Sequence, residues 1–315
     1  MRAYKPSTVR SPSSCRRMVN VGATLTLALC FAFVATQGQA EDAPASQIPA
    51  ATPSPDAVQN ARMATLEGSK SPWSGQFQLS YSGSSLNHPF SDKAPNPGHE
   101  IPEPLVTLSG LFSARYRIDP KTTFGIGTGV ITETPFQGPK HTSLSDPQID
   151  LARSFSLGPI HNRVDVTLVQ YTNHQSYQDG YRQQLDISSE SFYEFDSGVT
   201  LGLAFAVDGN TFASSGDYDK SKQTEYAFAV NPYFEYALNK TFNLRSVIGI
   251  VDYHNRDIPD PARYTHPAVY QTFGLGISAT KSVFLYAFVK GRPYSDKPMT
   301  TQNTTAGFST IINLF

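Results

Sequence analysis

His174 and Ser176 lie two residues apart in the stretch Tyr171-Thr-Asn-His-Gln-Ser176. A histidine beside a serine can take the hydroxyl proton as a general base and direct the oxygen at an ester carbonyl, provided a third group fixes the imidazole tautomer. Gln183 is the candidate third group, because a hairpin centred near Asp179–Gly180 brings it beside the pair. Upstream, Val164, Val166 and Leu168 alternate with polar residues, and the same parity runs through Gln170 and Thr172 to His174 and Ser176. A period of two puts them all on one face of a strand. The same residue types are ordinary at a strand–loop boundary, so the default expectation is no enzymatic activity.

A second set of reactive side chains is larger. Arg115, Arg117, Arg163, Asp165, Asp186, Glu190, Glu194, Glu225, Glu235 and Arg245 share the opposite parity in their segments, alternating with apolar neighbours. If the apolar parity faces lipid, these charges face a narrow interior, where unpaired they are costly. Two roles stay open for them: a structural network that holds the wall, or a charged constriction that selects solutes.

The His–Ser spacing resembles the outer-membrane phospholipase A family, a twelve-stranded barrel whose His and Ser lie on the outer wall in an Asn-His-x-Ser-Asn-Gly setting. Asn173, His174 and Ser176 match the start of that motif, whereas Tyr177 and Gln178 replace its Asn-Gly. Gln183 stands where the family has an asparagine on the next strand. The resemblance implies an outward-facing hydrolase dyad and covers about four residues of the chain.

The elements that would position both sets read as strands. From Trp73, apolar residues alternate with polar ones, as in Phe77, Leu79 and Tyr81 against Gln76, Gln78 and Ser80. Short turns fall near Asp119–Lys121, Gly158–Asn162, Asp196–Gly198, Asn239–Thr241 and Thr280–Lys281. Longer polar loops fall near Leu86–Pro104, Thr134–Ser145, Gln175–Arg182, Asp208–Lys222, His254–His266 and Gly291–Gln302. Five turns and six loops connect twelve strands, an even number with both ends on the turn side. The fold class is therefore an all-β, antiparallel up-and-down transmembrane barrel over residues 73–315. Tyr116, Phe124, Phe155, Tyr193, Phe195, Phe234, Tyr236 and Phe242 cluster beside the short turns, as an interface girdle requires. Arg153 falls on the outward parity, which points to either a bulge there or an error in the parity assigned to Asp150–Phe155. Inward Gly125, Gly127, Gly129, Gly202, Gly274 and Gly276 either widen the lumen or relieve crowding.

The termini agree with a membrane destination. Arg2, Lys5, Arg10, Arg16 and Arg17 precede an apolar stretch from Val19 to Ala35, and Gln37-Gly-Gln-Ala40 resembles a small-residue cleavage site. Residues 1–40 read as a signal peptide and 41–72 as a flexible periplasmic leader rich in Ala, Pro, Ser and Gln. Cleavage removes both cysteines and five of 25 basic residues, leaving 20 against 26 acidic ones, a net charge of −6. A nucleic-acid partner is not expected, and no thiol chemistry remains. The final segment, Asn303 to Phe315, alternates and ends on an aromatic. It resembles the C-terminal assembly signal of bacterial outer-membrane proteins, although Asn313 stands where that signal has an aromatic. The resemblance implies an outer-membrane location with periplasmic termini, lipid around the wall and the barrel-assembly machinery as a partner at Phe315.

The functional expectation is a narrow pore or passive route for small solutes, with a structural or surface-interaction barrel as the alternative and the hydrolase as a second one. Asp208, Asp217, Asp219, Asp252, Asp257 and Asp260 lie in or beside predicted external loops, where acidic residues are ordinarily solvated. No metal site and no cofactor is assigned. Ser145-Asp-Pro-Gln-Ile-Asp-Leu151 resembles a recurrent strand motif of transport-type barrels linked to aromatic-compound degradation clusters.

Overall fold

The computed structural model describes residues 72–95, 106–138, 140–172, 176–177, 179–216, 218–220, 223–261, 263–280, 282–293 and 299–314. The signal peptide, the leader up to residue 71, His174 and Phe315 lie outside the described residues.

The strands are β1 (Trp73–Ser85), β2 (Thr107–Asp119), β3 (Thr122–Glu133), β4 (His141–Leu144), β5 (Gln148–Leu157), β6 (Ile160–Gln170) and β7 (Tyr181–Glu194). They continue with β8 (Val199–Phe212), β9 (Thr224–Ala237), β10 (Phe242–Asn255), β11 (Thr265–Ser278), β12 (Val283–Gly291) and β13 (Thr305–Asn313). All pairings are antiparallel and join sequence neighbours, except that β3 pairs with both β4 and β5 and that β1 pairs with β13 as well as β2, which closes the sheet. β4 and β5 share one wall position: β4 pairs with the later half of β3, and β5 with the earlier half. The wall is thus a closed antiparallel barrel of twelve strands. Among the described residues no helix is long and apolar enough to cross a membrane. A closed sheet leaves no backbone group unpaired toward lipid.

The split between β4 and β5 differs from the sequence expectation, which placed the whole of Thr134–Ser145 in a loop. Pro147 has no N–H to give a ladder. The wall breaks at Ser145-Asp146-Pro147, and Asp146 Oδ1 accepts instead from the Thr172 amide at 2.6 Å. The expected bulge at Arg153 is absent. The β5–β6 register runs without interruption from Gln148 to Leu157. Arg153 keeps its outward parity and donates to Thr122 Oγ1 at 3.2 Å, at the start of β3. This places it at the turn end of the wall, where an arginine can keep its charged head at the interface.

The outer face is apolar. Phe112, Ile126, Ile149, Leu168, Ile187, Leu201, Leu203, Phe205, Leu244, Ile248 and Phe273 are exposed. Beside the short turns the girdle expected from sequence is present, with Tyr116, Phe124, Tyr193, Phe195, Phe234, Tyr236 and Phe242 exposed and Phe155 half-buried. Trp73 joins it, 4.8 Å from Tyr116 between ring centres.

The inner face is filled rather than wide at the inward glycines of β8, β10 and β11. A Cβ on Gly202 would fall inside the Tyr233 ring, one on Gly249 inside the Tyr270 ring, and one on Gly274 inside the Tyr286 ring. Each ring lies flat over the glycine of a neighbouring strand, so these glycines exist to let a large side chain lie against the wall. Of the two roles left open by the sequence, relief of crowding is the one realised at Gly202 and Gly274.

Candidate functional site

The candidate site is the lumen. Its inward residues divide by height. Towards the short-turn end, most are buried, including Arg115, Asp150, Arg163, Asp165, Glu190, Tyr233, Glu235, Asn243, Arg245 and Tyr286. Towards the loop end, inward Gln184, Ala206, Asp208 and Lys290 are half-buried.

In the buried half the charges form two bonded groups that adjoin in the β6–β7 register and together make a belt. Arg163 Nε donates to Asp165 Oδ2 at 2.7 Å, two residues along β6. Arg163 stands opposite Glu190 in the β6–β7 register. Glu190 Oε1 accepts from the Tyr233 hydroxyl at 2.6 Å, reaching over from β9 across Gly202. The Arg245 guanidinium lies 4.4 Å above the Tyr233 ring centre and donates to Glu235 Oε1 at 2.7 Å. Ionised pairs of this kind are strong hydrogen bonds, and satisfying each charge offsets its loss of water. The belt therefore runs Asp165, Arg163, Glu190, Tyr233, Arg245, Glu235 across β6 to β10.

The structure places the remaining lumen candidates as follows. Arg115 is buried, and the Asp150 carboxylate lies over Gly125, the residue opposite Arg115 in the β2–β3 register. Arg117 is half-buried near the β2–β3 turn. Glu194 is exposed and, with Glu235, Thr200 and Asn243, lines a cleft of about 270 Å³ at the short-turn mouth. Glu225 sits at a register shift between β9 and β10, which ends its alternation, and its carboxylate is 3.9 Å from His254 Nε2.

Sequence reasoning missed Asp150 and Tyr233 as members of the charged interior. Both were marked by parity: Asp150 shares the inward face with Gln148 and Ala152, and Tyr233 shares it with Asn231 and Glu235.

The outward parity expected to carry Ser176 is not continued. β6 ends at Gln170, so the alternation does not carry to Ser176, which lies in a helical turn with Tyr177. Gln183 is opposite Gln170, not opposite Ser176, and its amide nitrogen donates to Gln170 Oε1 at 3.1 Å. His174 lies outside the described residues.

At the loop end, Gln223 ties three loops together and is fully buried. Its side-chain amide donates to the Asp179 carbonyl, and its Oε1 accepts from Arg256 at 2.9 Å. Its backbone carbonyl accepts from the Arg256 amide at 2.8 Å. Gly180, with φ of +85°, brings the backbone close enough that a Cβ there would crowd Gln223.

No protein-family model matches the sequence, and no curated protein matches it. Among solved structures, an outer membrane channel from Pseudomonas putida F1 superposes with a TM-score of 0.53 at 11% identity, covering 78% of this chain and 97% of that one. The NanC porin gives 0.44 at 9% identity, covering 76% and 100%. The translocator domain of the autotransporter NalP from Neisseria meningitidis gives 0.41 at 9%, covering 79% and 90%. At such identities the likeness is one of fold. Closure, an apolar outer wall and an aromatic girdle define a transmembrane β-barrel of the outer-membrane type. Within that type this chain has the twelve-stranded antiparallel architecture.

Proposed function

We propose that this barrel sits in the bacterial outer membrane with both termini periplasmic and gives small solutes a narrow passive route across it. One observation carries the reading: charged and polar residues line the lumen over its height and are gathered at one level into a belt of paired side chains. A barrel needed only for its outer surface could fill the same space with apolar packing, which avoids the desolvation of buried ions. Rings of charged side chains at a constriction are how pores discriminate among solutes. The belt then serves as both constriction and filter, and the half-buried loop-end lumen as its vestibule. Outer-membrane lipid contacts the apolar wall, and the assembly machinery receives the last strand.

Planar bilayers test the reading. The purified protein should give small, steady conductance steps, and a Glu235→Ala/Arg245→Ala double variant should give larger ones, because both halves of a belt pair are gone. Absence of steps from well-inserted wild type and variant alike would overturn it and favour a barrel that works through its surface.

A further inference from the structure

A row of inward residues just above the belt gathers two carboxylates and two hydroxyls. Thr167 is opposite Asp186 in the β6–β7 register, and Asp186 is opposite Asp208 in the β7–β8 register. Ser188 follows two residues along β7 on the same face. Two carboxylates directly opposite each other repel. Among the described residues no ion pair includes either of them. Asp208 and Ser188 both border the Asp186 carboxylate.

The second observation concerns the hydroxyls. Thr167 and Ser188 are each 1% exposed; Ser188 Oγ lies beside the Asp186 carboxylate, whereas Thr167 Oγ1 has no hydrogen-bond partner. Buried polar atoms are almost always satisfied. Here an unsatisfied, buried hydroxyl, that of Thr167, faces a pair of acids on the side that looks into the lumen. Of the arginines on these strands, Arg163 is engaged with Asp165 and Arg182 donates to the Tyr177 and Tyr181 carbonyls.

We propose that Thr167, Asp186, Ser188 and Asp208 form a cation-binding site in the lumen, taking a monovalent ion or the ammonium group of an organic cation. The ligand set is all oxygen, which suits hard cations. Among the described residues no group of three or more His, Cys, Asp or Glu side chains has a metal-holding arrangement. Two carboxylates spread over adjacent strands about 4.8 Å apart favour a weakly held monovalent charge over a tightly caged divalent one. Since barrel strands are tilted, a row across them runs obliquely along the lumen axis, so a cation held there lies on the path to the belt. The permeation consequence, cation selectivity, rests on the channel reading; the binding itself does not.

Two measurements on the purified protein separate these. The first is the melting midpoint at matched ionic strength in potassium chloride, methylammonium chloride and N-methylglucamine chloride. Potassium or methylammonium should raise the midpoint over N-methylglucamine by several degrees, since a ligand that binds only the folded state stabilises it. A rise with potassium alone assigns an inorganic ion, and a larger rise with methylammonium assigns an ammonium group. The rise should vanish in Asp186→Asn/Asp208→Asn and shrink in Thr167→Val, which keeps both acids and serves if the double variant fails to fold. The second is the reversal potential in a tenfold potassium chloride gradient, which should lie towards the potassium equilibrium value and move to zero in the double variant. A cation-independent midpoint in wild type overturns the site, as does a raised, cation-independent midpoint in the double variant, which would mean that the two acids share a proton. A cation-dependent midpoint in a protein that conducts nothing keeps the site and overturns the channel.

Discussion

Glu235 and Arg245 show how tightly single residues are bound to the belt. Both are buried, and their closest contact is 2.7 Å. Glu235→Ala removes the carboxylate nearest the guanidinium and leaves the Tyr233 ring face beneath it. Breaking one partner of a buried pair is destabilising by about 3–5 kcal/mol, whereas replacing both with packed apolar groups is often nearly neutral. Urea unfolding in micelles should therefore show a larger loss for Glu235→Ala than for Glu235→Leu/Arg245→Met. Equal losses would mean that the pair is not the stabilising unit.

At the scale of elements, the strands carry the wall and the loops carry its outer opening. The described residues of the loops 171–180, 213–223 and 256–263 have little regular structure of their own. Gln223 substitutes for it by joining Asp179 to Arg256 through one side chain, and Arg256 lies 4.7 Å over the Phe212 ring. Gln223→Ala should release the loops without touching the ladder below. Limited proteolysis is expected to cut within these three loops several-fold faster, while the barrel still migrates as a folded, heat-modifiable species. Unchanged cleavage would show that the loops hold together by other contacts. The strand break at Pro147 works in the opposite sense, since a missing donor interrupts the ladder and Asp146 turns to Thr172 on the next connection.

The whole molecule depends on one seam. β13 meets β1 over Gln76 to Ser85, pairing Phe77 with Ile312 and Tyr81 with Phe308, and a loss there opens the sheet. An open edge in lipid is untenable, so assembly must deliver the last strand to the first. Deleting Phe315 should reduce the folded, membrane-inserted fraction more than deleting a single residue from the 213–216 loop segment, as read by heat-modifiable migration of isolated membranes. Equal yields would count against a role for the terminal aromatic.

The sequence by itself determined the number of wall positions, their parity and the girdle. Each of those is local: period-two alternation and turn residues act within a dozen positions, so Phe124 or Leu203 declares its face without knowing its neighbour. It also marked Arg163, Asp165, Glu190, Glu235 and Arg245 as inward. Which of them meet was decided by tertiary structure alone, because cross-strand partners such as Tyr233 and Glu190 are 43 residues apart and joined only by register through β8. The same holds for Gly202, whose neighbour ring comes from another strand, and for Ser176, whose expected face was lost when β6 stopped at Gln170. Alternation carries no information about where hydrogen bonding ends, and closure of the ring fixes the lumen's contents only once all twelve positions are in register.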